Sequence, residues 1–160
     1  MSIDLSGVPD VEAVFTLMQQ LLDDIVYHFA ENDVDLPGRQ YVTVGQTAHD
    51  CEQLTVGFIQ MYLGTPGDRI EVPQNCQAPR SIVLTVQLVR KVALPQGRTT
   101  PPDPEEITEL TKQKTGDAWL LMDAVQKNAC DTFGVIADVS VTNPQGEYQA
   151  VQLNVSVGVP

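Results

Sequence analysis

The fold is decided by the C-terminal stretch VIADVSVTNPQGEYQAVQLNVSVGV, residues 135–159. Apolar and polar side chains alternate at its beginning and again over residues 151–159, as they do in strands that bury one face. The intervening Asn143-Pro144-Gln145-Gly146 contains residue types that favour turns. The stretch therefore predicts a β-hairpin. In its first strand, one face of the sheet is expected to carry the side chains of Val135, Ala137, Val139 and Val141.

Two longer runs upstream show the same preference for strands. Residues 51–63 and residues 81–94 are rich in Val, Ile, Thr or aromatic side chains. In the first run, one face is predicted to carry Leu54, Val56, Phe58 and Tyr62, and the other Ile59, Met61 and Leu63. In the second run, one face is predicted to carry Ile82, Leu84, Val86, Leu88, Val92 and Leu94, a rhythm that Arg90 interrupts.

Two helices complete the pattern. From Val8 to Ala30, apolar residues recur at steps of three and four, which predicts an amphipathic helix, and an extended segment follows at Tyr41 to Gly45. Asp103-Pro104-Glu105-Glu106 is typical of a helix start, because Asp caps free amides, Pro fits the first position and Glu meets the positive end of the helix dipole. This second helix is expected to reach Ala129, with a break at Thr115-Gly116.

The order of these elements favours an α+β fold. Strands that follow one another without crossover helices pair antiparallel, and two amphipathic helices can cover one face of the resulting sheet. The prediction is a single domain over residues 1–160, with an antiparallel β-sheet and two main helices packed on one face. Both faces of the central strands are expected to be apolar beyond what two helices cover. Either a subunit interface or the loops would cover the remainder.

Composition excludes several classes of protein. The chain has 160 residues, of which 42% are hydrophobic and 19% charged, as in a globular domain. Its 21 Asp and Glu against 9 Lys and Arg give a net charge of -12, which opposes a nucleic-acid-binding surface. The sequence shows no signal peptide and no membrane span, so we expect an aqueous compartment and no membrane partner. The chain has three cysteines, Cys51, Cys76 and Cys130, and this odd number predicts reduced and buried thiols.

Few residues offer catalytic chemistry. His28 is expected to decorate the end of the first helix, and His49-Asp50-Cys51-Glu52 is the densest cluster of reactive types. In a strand, His49 and Cys51 would share a side and could form a thiolate with its base, but the sequence shows no partner that would orient them. EF-hand, zinc and phosphate-binding motifs are missing. We predict that the chain is not an enzyme and takes no cofactor or metal; a small α+β enzyme that uses Cys51 and His49 is an alternative.

Two proline-rich connections are the candidate contact surfaces. One runs from Gly64 to Pro79 and the other from Pro95 to Asp103, and both exceed the length of a tight hairpin loop. Their prolines limit the entropy that docking would cost. The candidate interface residues are Gly64, Pro66, Asp68, Arg69, Pro73, Pro95, Arg98 and Pro101.

Four stretches of the sequence resemble one known protein family. They are Asp50-Cys51-Glu52-Gln53-Leu54, residues Cys76 to Ser81 leading into the strand Ile82 to Val92, residues Asp117 to Ala124 with the sequence DAWLLMDA, and the closing hairpin. Together they resemble the tail terminator proteins of long-tailed, noncontractile phages (siphoviruses), above all phages of actinobacteria. The resemblance covers about Val11 to Val157 and depends more on length and element order than on an invariant motif.

This resemblance implies a structural protein of the virion. Tail terminators form a ring, most often a homo-hexamer, that caps the tail tube, stops its polymerisation and joins it to the head connector. The implied partners are identical subunits, the major tail tube protein and a head-completion protein, and genomic DNA would pass through the lumen without specific binding. The implied location is the head-tail junction of the virion, after synthesis in the cytoplasm of a host bacterium.

Other interpretations remain open. A head-completion or neck protein of another layer would share most of these features, and a ligand-binding domain would need an enclosed apolar pocket. The charge of -12 is compatible with an acidic lumen that repels phosphates, whereas a channel lined by Arg90, Lys91 and Arg98 would contradict that hypothesis.

Overall fold

The computed structural model describes residues 9–69, 75–94, 99–132 and 134–159. In chain order, their regular elements are α1 (Pro9–Glu31), β1 (Gln40–Val44), β2 (Gln53–Leu63), β3 (Arg80–Lys91), α2 (Pro104–Thr132), β4 (Val135–Val141) and β5 (Tyr148–Val159). The strands form one sheet in the order β1-β2-β3-β5-β4. All neighbours pair antiparallel except β1, which runs parallel to β2. The prediction of an α+β fold with an antiparallel sheet is confirmed for every described strand pair except β1 with β2, which is parallel.

The hydrophobic core lies between the helices and one face of the sheet. Register brings the apolar positions of three strands side by side, so that Leu88 of β3 lies between Leu54 of β2 and Val151 of β5. Both helices contribute to the same buried cluster, α1 with Ile25 and Phe29 among others. Burying one such large side chain contributes about 1.5–3 kcal/mol to stability. We call this side of the sheet the helix face.

The opposite face is covered by a short connection. Residues 45–52, which we call the strap, join β1 to the parallel β2, although such crossovers usually need about a dozen residues or more. The chain turns out of β1 at Gly45, whose φ of 76° is a conformation that side chains rarely adopt. The backbone N–H of Thr47 then reaches Gln87 of β3 at 3.0 Å. The strap therefore crosses β2 and is fastened to the central strand.

This strap face is polar, which corrects the prediction that both faces of the central strands are apolar. Buried polar side chains alternate with the apolar ones, and they include Gln53, Thr55, Thr85 and Gln87. Buried polar groups need hydrogen-bond partners, and the strap supplies several of them: the Ala48 carbonyl, for example, accepts from the Gln53 amide at 2.9 Å. The second face thus needs no apolar cover.

Two β-bulges redirect side chains that simple alternation placed on the wrong face. In β2 the register shifts between Phe58 and Gln60, so Met61 lies opposite Ile82 on the helix face and Tyr62 lies on the strap face. In β4 it shifts between Ile136 and Asp138. Val135 consequently lies opposite Ser156, and the prediction that it shares a face with Val139 and Val141 is wrong.

Several predicted boundaries also change. Residues 51 and 52 belong to the strap, and β3 ends at Lys91 instead of continuing to Leu94. The predicted break at Thr115-Gly116 is wrong, because α2 is continuous through Gly116. Its predicted start is confirmed: the Asp103 carboxylate accepts a hydrogen bond from the Glu105 backbone N–H at 3.0 Å.

Gly57 and Gly116 provide a matched test of the strap. A Cβ on Gly57 would overlap the Gly45 carbonyl oxygen and approach Thr85 Cγ2 to 3.1 Å, whereas a Cβ on Gly116 meets nothing within 4 Å. We expect Gly57→Ala to lower the free energy of unfolding by about 1–3 kcal/mol, as overpacking does. Gly116→Ala should raise it by about 0.5–1 kcal/mol through helix propensity. Urea unfolding measures the change in the free energy of unfolding for both variants. Equal changes would contradict the close approach of the strap to Gly57.

Candidate interaction surfaces

The predicted contact loops emerge at opposite ends of the sheet. Leu63 pairs with Arg80, so the connection between β2 and β3 leaves from that end, whereas the chain leaves β3 at the other end, where Gln53 pairs with Val89. Of the candidate residues, the structure describes Gly64, Pro66, Asp68, Arg69 and Pro101. The other three lie outside the described residues: Pro73, Pro95 and Arg98. Asp68, Arg69 and Pro101 are exposed, while Gly64 is buried.

The beginning of the first loop is a preformed turn. The Asp68 carboxylate accepts hydrogen bonds from the Thr65 backbone N–H at 2.7 Å and from the Thr65 hydroxyl at 2.9 Å. Behind it, the Tyr62 hydroxyl donates to the Thr65 carbonyl and accepts from the Gly67 N–H, each at 3.2 Å. A surface held in this way loses little conformational entropy on binding.

An apolar groove lies between the first turns of α1 and the β1 side of the sheet. Its volume is about 400 Å³, and its lining side chains are Val11, Val14, Phe15, Met18, Val42, Thr43, Val44, Phe58 and Met61. Phe15 exposes 56% of its surface and Val44 exposes 81%. An exposed apolar surface of this kind marks a site of interaction more often than a defect of packing.

The groove could not be predicted from the periodicity of α1, because the apolar stripe does not show which of its residues are covered. The stripe is buried from Met18 onwards, but Val11 and Phe15 remain exposed. The helix is about 34 Å long, since each of its 23 residues rises 1.5 Å. β1 has 5 residues and spans about 17 Å. The signal available in the sequence was this mismatch between a long helix and a short extended segment.

Arg90, one of the three cations whose presence in a channel would contradict an acidic lumen, is buried. Its Nε donates to Asp117 Oδ2 at 2.7 Å, one Nη donates to Asp117 Oδ1 at 3.1 Å, and the same Nη reaches the Asp35 carbonyl at 2.7 Å. Arg90 exposes 7% of its surface and Asp117 exposes 1%. Burial raises the pKa of Asp117, and the neighbouring guanidinium opposes that rise. Arg90 therefore joins β3 to α2 and is not available to a lumen.

His49 and Cys51 do not form a nucleophile and base. The expectation that they share one side of a strand is wrong, because the strap is not a strand. The Cys51 thiol lies 3.5 Å from Gln53 Oε1, and burial together with Asp50 raises its pKa. His49 Nε2 contacts Gln87, and burial lowers the pKa of the imidazole. Each side chain is thus engaged with a different glutamine.

The remaining histidine and cysteines also differ from expectation. His28 is buried between the helices, where its Nε2 lies 2.7 Å from the Asp123 carboxylate. It therefore contacts both helices and is not only a polar residue at the end of one. All three cysteines are free thiols; Cys51 is half-buried, but Cys76 and Cys130 are exposed, which corrects the prediction of buried thiols.

Searches for a metal site and a membrane span add no further candidate. Within the described ranges, no group of three or more His, Cys, Asp or Glu side chains could hold a metal ion. None of the helices in that part of the chain has the length and apolar character needed to cross a membrane.

Comparison with known proteins leaves the resemblance to tail terminators as a hypothesis. No protein-family model matches the chain, and no curated protein sequence is significantly similar to it.

The buried pair of Arg90 and Asp117 gives a direct prediction for stability. Asp117→Ala leaves a guanidinium buried without its counter-ion, and we expect it to lower the free energy of unfolding by about 3–5 kcal/mol. The double variant Arg90→Met with Asp117→Leu should recover most of that loss, because neither charge is then buried.

The exposed pair of Lys112 and Glu109 on the same helix, 2.8 Å apart, is the matched control. Glu109→Ala should cost at most about 0.5 kcal/mol, as for other exposed helix pairs. Chemical denaturation of the four proteins makes the comparison. A loss at Asp117 no larger than the loss at Glu109 would show that Arg90 does not need its partner.

Proposed function

We propose that this protein is a tail terminator, a ring-forming subunit that caps the tail tube of a siphovirus and joins it to the head connector. The observation that carries the proposal is the apolar groove beside β1, which the described residues of the subunit leave open. Identical neighbours that meet through two different surfaces close into a ring when the rotation between them allows it. The groove is the surface that we assign to the neighbouring subunit.

The chemistry of the groove supports a contact between subunits rather than a contact with DNA. Its lining carries no charged side chain, and Thr43 is its one polar residue. Phosphate groups are bound by Lys and Arg, whereas interface cores are depleted in charge and rich in aromatic residues and Met. Phe15, Phe58 and Met61 fit that composition.

The arrangement of the two loops supports a protein with two different axial partners. The connection after β2 and the connection after β3 leave opposite ends of the sheet, so one ring could present them to two layers. We assign one end to the tail tube and the other to the head-completion protein.

The charge of the chain supports passage of DNA without binding. Each subunit carries a net charge of -12, and the burial of Arg90 removes one of the few cations from contact with phosphate. An acidic channel raises the energy of a nearby phosphate and does not retain it.

Deletion of the gene from the phage that encodes it tests the proposal. Electron microscopy should then show filled heads without tails, together with tubes of uncontrolled length, and a plasmid copy of the gene should restore virions. Tails of normal length that lack heads would instead indicate a neck protein of another layer. Normal virions would exclude both.

The groove itself gives a prediction for assembly. We expect Phe15→Lys to place a charge in the apolar contact and to abolish the oligomer that the wild-type protein forms, as measured by light scattering after size exclusion. Because Phe15 is already exposed, the free energy of unfolding of the subunit should change by less than about 0.5 kcal/mol.

Tyr27→Lys on the same helix is the matched control. Tyr27 is similarly exposed and lies 12 residues further along α1, about 18 Å from Phe15, and the substitution also adds one positive charge. It should leave the oligomer intact. If Phe15→Lys assembles as the wild type does, the groove is not the subunit interface.

A further inference from the structure

The strap is fastened to β3 by a buried hydrogen-bond network around Gln87. The backbone N–H of Thr47 donates to Gln87 Oε1 at 3.0 Å, and the Thr47 hydroxyl donates to the same oxygen at 3.2 Å. Gln87 Nε2 lies 3.3 Å from His49 Nε2 and 3.2 Å from Gln152 Oε1 on β5. Both His49 and Gln87 are buried, so water does not replace these bonds freely.

This network fixes the protonation state of His49. A backbone N–H can only donate, so the Gln87 atom that faces Thr47 must be the oxygen, and the other atom must be the NH₂ group. That NH₂ group donates to His49, and His49 Nε2 must therefore accept and carry no proton. The proton of the neutral ring is then on Nδ1, which is buried without a hydrogen-bond partner among the described residues.

We propose that the strap is a pH-sensitive latch, closed on β3 by neutral His49 and released when His49 takes up a proton. A proton on Nε2 would point at the Gln87 NH₂ group, so that two donors face each other. Rotating the Gln87 amide would relieve this contact but would turn NH₂ towards the Thr47 N–H. The protonated ring therefore breaks the network in either orientation.

Among the described residues, no charged group around His49 offsets this conflict. On its own segment the neighbouring titratable groups are Asp50, Cys51 and Glu52, and Asp50 is exposed. The Glu52 carboxylate is directed to the Lys91 backbone N–H at 3.2 Å. Burial alone lowers the pKa of His49, and among the described residues no carboxylate contributes to the shift.

The neighbouring strands add no carboxylate to this site. On β1, the Tyr41 hydroxyl donates to Gln53 Oε1 at 2.9 Å. At the end of β3, Arg90 is directed to Asp117 on the helix face. On β5, Gln152 and Asn154 lie opposite Gln87 and Thr85, and neither titrates. A proton on His49 would thus have no counter-ion among the described residues.

The sign of the pH dependence follows from the lowered pKa. The closed latch favours neutral His49, so its stability is full above the pKa of the released histidine, about 6.5. It is lost as the pH falls from that value towards the lower pKa of the closed state. Between pH 7.5 and pH 5.5 the fraction of open strap should therefore rise, by at most about tenfold, because an open-state pKa of about 6.5 sets that upper limit.

Two measurements on the full-length wild-type protein test the latch. Nitrogen-15 NMR of the imidazole at pH 7.5 should show a proton on Nδ1 of His49 and none on Nε2. Hydrogen exchange of the Thr47 amide, corrected for its intrinsic pH dependence, should accelerate between pH 7.5 and pH 5.5, by at most about tenfold. A proton on Nε2 at pH 7.5, or unchanged protection of Thr47, would overturn the proposal.

Gln87→Glu should reverse the behaviour. A carboxylate at this position accepts from the Thr47 N–H and from a protonated His49 Nε2 together, while Gln152 can rotate its amide to donate. Both ring nitrogens should then carry protons at pH 6.5, and Thr47 should stay protected at pH 5.5. A strap that opens on acidification as in the wild type would contradict the role of Gln87.

His28→Asn is the matched control, because the chain contains 2 histidines and His28 lies between the helices. It should leave the pH dependence of Thr47 exchange unchanged. If the dependence disappears in His28→Asn, the response belongs to the helix pair and the latch is excluded.

Discussion

The central position of β3 is the constraint on which the rest of the structure depends. β3 has neighbours on both sides, and both of its faces must be covered. The helices α1 and α2 cover its helix face, and the strap is hydrogen-bonded to Gln87 on the opposite face. Arg90 occupies an apolar-face position near the end of the strand, and Asp117 of α2 allows its burial there. A single strand thereby specifies what each surrounding element must provide.

The sequence predicted the positions of most helices and strands but assigned several side chains to the wrong face of the sheet. Periodicity identifies a strand from many residues at once, so α1, α2, β3 and the hairpin of β4 and β5 were predicted correctly. A bulge adds one residue and inverts every position beyond it, with no change in composition. Tyr62 and Val135 were therefore assigned to the wrong faces.

The strap and the groove were beyond sequence reasoning because both depend on contacts between distant residues. Nothing local shows that residues 45–52 cross the sheet, since the hydrogen bonds that hold Thr47 and His49 come from Gln87. Gln87 of β3 belongs to a second layer of buried polar side chains on the strap face, held by hydrogen bonds. Gly116 is a similar case: a glycine favours a helix end, but the packing of α2 overrides that weak preference.

The groove is a consequence of the strap. Because the chain leaves β1 at Gly45 to cross the opposite face, β1 ends at Val44, while β2 continues to Leu63. The part of β2 beyond the bulge has β3 on one side and no β1 residue on the other, so the helix-face side chain of Met61 borders open space below Phe15. Lengthening β1 to close the groove would require a different crossover, and with it a different cover for the polar face of β3. The apolar surface that we assign to a neighbouring subunit is therefore a consequence of the topology of the described strands.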